Sequence, residues 1–74
     1  MYRLRVKEIL EERKLSMAKL SRGADVPLNT VRRMVRDKNY NPTAYTLRRV
    51  ADYLGLTMDE LFTKDDETSE PDGP

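Results

Sequence analysis

Leu28, Asn29, Arg32, Arg33 and Arg36 are the residues whose types and spacing could do chemistry in this 74-residue chain. An asparagine amide pairs bidentately with adenine, an arginine fork pairs bidentately with guanine, and a leucine can press on a thymine methyl. The same guanidiniums also grip phosphate. Val31 and Met34, three apart, form an apolar stripe, and a helix packed on that stripe must turn the other five residues outward. Such a face has the chemistry for a DNA major groove. A solvated helix face carries similar residues, and Asn29 could serve only as a helix cap.

Catalysis finds no comparable set. No histidine is present to activate Ser16, and Glu11 and Glu12, adjacent in sequence, point in different directions on a helix. The joint absence of cysteine and histidine excludes disulfide staples, zinc fingers and imidazole acid–base chemistry. The expectation is a protein that is not an enzyme and that carries no cofactor and no metal. No apolar run approaches the ~20 residues of a membrane span, and the charged opening MYRLRVKEIL lacks the apolar centre of a signal peptide. These features predict a cytoplasmic location.

The net charge of +1 divides unevenly. Residues 1–63 hold 13 Lys and Arg against 8 Asp and Glu, or +5, whereas residues 64–74 hold Lys64 against five acidic residues, or −4. The basic part suits a polyanion, and the acidic part can only repel DNA or shield the basic face. Two units are expected: a folded domain over 1–63 and a disordered acidic tail over 64–74, which has no apolar residue.

Five helices are expected to position the basic face. The first runs from about Tyr2 to Lys14 on the stripe Val6, Ile9 and Leu10. Ser16 is an N-cap for the second, about Met17 to Gly23, and Asp25 occupies the following turn. Pro27 fits the first position of the third, about 27–36, because its missing N–H would have no partner there. Residues 37–42, DKNYNP, form a loop. Thr43 caps the fourth helix, whose Ala44, Leu47, Val50, Ala51 and Leu54 keep helical spacing until Gly55 stops it. Thr57 and Glu60 make a capping box that opens a last helix through about Phe62. The fold class is therefore all-α, a compact bundle of five short helices around Val6, Ile9, Leu10, Leu20, Val31, Met34, Leu47, Val50, Leu54 and Leu61, with no competing strand pattern. Tyr2, Tyr40, Tyr45 and Tyr53 read as packing residues.

The stretch LSMAKLSRGADVPLNTVRRMVR resembles the helix-turn-helix of the lambda-repressor and Cro-like (XRE-type) family through Leu15, Ser16, Met17, Leu20, Ser21, Asp25, Val26, Thr30 and Val31. The similarity continues into NPTAYTLRRVADYLGLTMDEL and covers roughly residues 4–62. The resemblance implies a sequence-specific double-stranded DNA-binding regulator, a repressor or small switch protein, that inserts helix three into the major groove. Base reading falls to Leu28, Asn29, Arg32 and Arg33. Arg32 and Arg33 lie about 100° apart on the helix, so one takes a base and the other a phosphate, and the family's base-reading position favours Arg33. Phosphate binding falls to Ser16, Met17, Arg36, Lys38, Asn39 and Asn41.

Three positions depart from the family pattern. Met17 replaces a frequent glutamine, which weakens the polar network or substitutes an apolar contact with a thymine methyl. Asp25 stands where glycine is frequent, and aspartate tolerates the left-handed backbone better than most residues. Leu10 and Val35 replace an Arg–Glu pair and should therefore touch. The family also implies a two-fold homodimer on DNA, with Leu61 and Phe62 on the last helix as the natural contact surface. The alternative is an antitoxin-like or adaptor module whose acidic tail docks on a protein partner.

Overall fold

The chain brings its two flanks together as a sheet. The computed structural model describes residues 2–37 and 40–64, so the expected tail lies outside the described residues except for Lys64. Tyr2–Leu4 (β1) pairs antiparallel with Phe62–Lys64 (β2), in the register Tyr2 with Lys64, Arg3 with Thr63 and Leu4 with Phe62. Between them run α1 (Val6–Arg13), α2 (Met17–Ala24), α3 (Leu28–Arg36), α4 (Ala44–Leu54) and a 3-10 turn at Asp59–Leu61.

This corrects the all-helical, five-helix expectation at both ends: there are four α-helices and a two-stranded sheet among the described residues. The reason lies in side-chain direction. Continued back to Tyr2, a helix with Val6, Ile9 and Leu10 inward would aim Leu4 at water and Tyr2 at the core. As a strand, β1 does the reverse, burying Leu4 to 6% exposure and leaving Tyr2 68% exposed. Arg5 makes the break, its N–H donating to the Leu61 carbonyl at 2.8 Å and its Nε to the Glu60 carbonyl at 2.9 Å.

The last helix fails for a related reason. The capping box forms as expected, Thr57 N–H to Glu60 Oε1 at 2.8 Å and Glu60 N–H to Thr57 Oγ1 at 3.2 Å. Leu61 is then fully buried, and its carbonyl is committed to Arg5, so the chain leaves as β2 after a single tight turn.

The middle of the chain follows the sequence reading closely. Ser16 Oγ accepts from Lys19 N–H at 3.0 Å, Thr43 Oγ1 accepts from Thr46 N–H at 3.2 Å, and Gly55 closes α4 in the left-handed region at φ 73°. Helix α2 runs one residue past Gly23, and Pro27 is the residue before α3 rather than its first, with an extended ψ of 141°. All ten expected core residues are buried, joined by Leu4, Ala24, Val26 and Ala51. Helix α2 packs on both α3 and α4, and α1 packs on α3. Leu20, fully buried on α2, sits where these contacts converge. Among the described residues, no helix is long and apolar enough to cross a membrane.

Candidate nucleic-acid interface

Helix α3 presents its polar residues because its core side is so strongly apolar. Val31 and Met34 are 0% and 2% exposed. Asn29, Arg32, Arg33 and Arg36 are all exposed and fall within an arc of about 100° on the opposite side. Leu28 lies on one flank and is half-buried. The structure thus brings all four expected base-reading residues and Arg36 to one side of α3, with Asn29, Arg32, Arg33 and Arg36 central. Arg32 Nη1 donates to Asn29 Oδ1 at 3.4 Å, so the amide and the first guanidinium already face each other. The Arg33 guanidinium lies 4.4 Å above the centre of the Tyr40 ring.

The turn before α3 sets its angle. Asp25 adopts the left-handed conformation at φ 58°, as expected for the residue standing in place of glycine. Ser21 holds both directions of this turn: its carbonyl accepts from Asp25 N–H and from Val26 N–H, the latter at 3.0 Å, and its hydroxyl donates to the Val26 carbonyl at 2.6 Å. Arg49 of α4 then reaches across to Asp25 Oδ2 at 3.1 Å, lies 4.7 Å over the Tyr45 ring, and donates to the Tyr45 hydroxyl. Sequence reasoning missed both devices. Ser21 belonged to the family pattern without an assigned job, and no local spacing connects Asp25 to a residue 24 positions away.

At the start of α2, Ser16 is exposed and keeps its hydroxyl proton for an outside acceptor, since the cap uses only its lone pair. The first-turn amides of Met17 and Ala18 have no carbonyl within the helix to receive them, an arrangement suited to phosphate. Met17 is half-buried and packs against the core, so its role here is at least partly structural. It lines a hollow between α1 and α3 together with Leu10 and Val35, so the two exchanged residues face the same hollow rather than opposite sides of the domain. Asn41 is exposed in the α3–α4 loop, whereas Lys38 and Asn39 lie outside the described residues.

Two other expectations change. Leu61 is fully buried and Phe62 is half-buried in β2, so Leu61 is not available as a contact surface between copies. The packing expected of the tyrosines holds for Tyr40, which lies against the core, and for Tyr53, whose ring lies over Gly23 of α2, whereas Tyr2 and Tyr45 are 68% and 65% exposed.

Away from this face, Arg3 Nη1 pairs with Glu8 Oε2 at 3.1 Å. Partial burial pushes the Glu8 carboxyl upward, but its own backbone amide and the Arg3 guanidinium outweigh this and hold it below its ordinary value.

Sequence comparison places the chain among known proteins. A family model for the Cro/C1-type HTH DNA-binding domain matches residues 5–67. A protein of Rickettsia prowazekii (strain Madrid E), named an uncharacterized HTH-type transcriptional regulator, is 33% identical over 67 residues, covering 81% of this chain and 73% of that relative. A protein of Rickettsia conorii (strain ATCC VR-613 / Malish 7) with the same kind of name is also 33% identical over 67 residues, covering 81% of this chain and 62% of the relative. With a helix-turn-helix built from α2 and α3, an αL turn between them and a family match across nearly the whole described chain, this protein belongs to the Cro/C1-type HTH DNA-binding domain family.

Proposed function

We propose that the chain is a transcriptional regulator that binds double-stranded DNA sequence-specifically by inserting α3 into the major groove. The observation that carries this reading is the division of α3 itself. Val31 and Met34 are buried while Asn29, Arg32, Arg33 and Arg36 project together, a face that pairs base-reading forks with phosphate grips. Arg33 takes a guanine and Asn29 an adenine. Arg36, Ser16 and the first amides of α2 take phosphates, with Lys38, Asn39 and Asn41 on the loop side. The names of the two relatives support the regulatory role. Repression requires no more than occupying an operator, so it is the simplest activity for this interface to perform.

Binding as a two-fold dimer places two copies of α3 in successive grooves, about 34 Å apart. Selection from random duplexes should then recover a paired half-site motif. Arg33→Ala should lose discrimination at one base pair, by about 10- to 100-fold for a bidentate contact. Arg36→Ala should weaken all duplexes alike and lower the salt slope by about one. Equal weak binding to every duplex would defeat the reading, and monomers on a recovered operator, seen by sedimentation, would remove the dimer.

A further inference from the structure

We propose that Tyr40 is a positioning residue for base recognition: its ring holds the Arg33 guanidinium in place before DNA arrives while leaving the N–H donors of that guanidinium free. The proposal rests on the reading of Arg33 as a base contact. It goes beyond that reading by assigning a role to a residue of the α3–α4 loop.

Tyr40 is itself well fixed. It is half-buried, packs against the core, and its N–H donates to the Asp37 carbonyl at 3.0 Å. Pro42, buried two residues later, pins the same loop. Over this platform the Arg33 guanidinium stands 4.4 Å from the ring centre, well inside the ~6 Å range of a cation–π contact. Among the described residues the Arg33 side chain has no hydrogen bond or ion pair.

That combination is chemically particular. An exposed arginine loses rotamer freedom when it docks on a base, and a stack formed in the free protein removes part of that loss. An ion pair would restrain the side chain too, but it would occupy the donors that guanine O6 and N7 require. A ring face holds the guanidinium by its charge and supplies no carboxylate lone pair to occupy its N–H donors. Tyr40 therefore orders Arg33 without consuming its hydrogen-bonding capacity.

The test compares Arg33→Ala, Tyr40→Phe, Tyr40→Leu and the double variant Arg33→Ala/Tyr40→Leu. Each is titrated with the best selected duplex and with its single base-pair variants, and thermal melting checks that each is folded. Tyr40→Phe, which keeps the ring, should retain discrimination. Tyr40→Leu should lower it about two- to fivefold, as expected for losing an exposed cation–π contact, and only at the base pair that Arg33→Ala affects. In the Arg33→Ala background it should lower it no further. A uniform loss across duplexes that persists without Arg33 would make Tyr40 a loop-packing residue and overturn the proposal. A gain in discrimination would mean that the ring sequesters Arg33, which also overturns it.

Arg33→Ala alone separates the two levels of the argument. If it shows no base-pair-specific effect, base reading by Arg33 fails and the positioning role falls with it. A second measurement needs no variant. In the free protein, NMR relaxation of the arginine Nε–H groups should find Arg33 more ordered than Arg36, and equal mobility would refute the stack.

Discussion

Two arginines lie over tyrosine rings in this molecule, Arg33 on Tyr40 and Arg49 on Tyr45, and the neighbours of each stack decide what the arginine is for. Arg49 also binds the Asp25 carboxylate and the Tyr45 hydroxyl, so its charge is spent inside the protein, tying α4 to the turn that aims α3. Arg33 has the ring and, among the described residues, nothing else. One stack closes a network and the other leaves one open. A cation–π contact alone is thus no mark of either structure or recognition; the presence or absence of a carboxylate beside it is the discriminating feature.

The two regions share α2, so the largest effect should come from removing the support common to both. Leu20→Ala empties a fully buried position and should cost about 2–5 kcal/mol in chemical denaturation, enough to unfold much of so small a domain and to abolish both stacks at once. Next in size is the split between the arginines themselves. Arg33→Ala should lose ~1–3 kcal/mol of discrimination at one base pair with little change in melting temperature. Arg49→Ala should leave discrimination intact and lower the melting temperature only slightly, because its partner Asp25 is 86% exposed. If both variants lost discrimination equally, the distinction would collapse.

A finer probe is the left-handed Asp25 at the end of the closed network. Asp25→Ala should cost about 1 kcal/mol, because alanine keeps a β-carbon at positive φ without the polar side chain that eases that conformation and also loses the Arg49 pair, and Asp25→Gly, with no β-carbon, should recover most of it. The smallest effect concerns the other carboxylate-anchored arginine, Arg3 with Glu8. A folded-state carboxyl held below its ordinary value contributes stability that is present above the unfolded glutamate pKa and is lost as pH falls from there through the lowered value. Melting temperatures followed into acid should show this step in the parent chain and lack it in Glu8→Gln.

Much of this architecture was legible from residues that act locally. Ser16, Thr43 and Gly55 mark helix ends by chemistry confined to one turn, and the spacing of Val31 and Met34 was enough to orient the exposed face of α3. The strands were not legible because each is three residues long, too short for alternation to show, and each exists only through a partner about sixty positions away. The same limit hid the Arg49–Asp25 contact and the platform under Arg33. Tyr45 and Arg49 stand four apart on α4, a spacing the sequence itself carries, whereas the cation that Tyr40 receives depends on the path of the loop after α3.

The sheet has a consequence for the order in which the molecule can be completed during synthesis. The first strand leaves the ribosome at residues 2–4, yet its partner at 62–64 follows about sixty residues later, a delay of roughly 3–12 s at 5–20 residues per second. Throughout that interval Leu4 has no cover from β2 and Arg5 has no Leu61 carbonyl to bond. The helix-turn-helix needs neither, since Ser16, Ser21 and Thr43 complete its caps and turn from within residues 16–46. The nascent chain can therefore complete the caps and turn of α2 and α3 before its flanks are fastened, with Leu4, Leu61 and the sheet closing the core last.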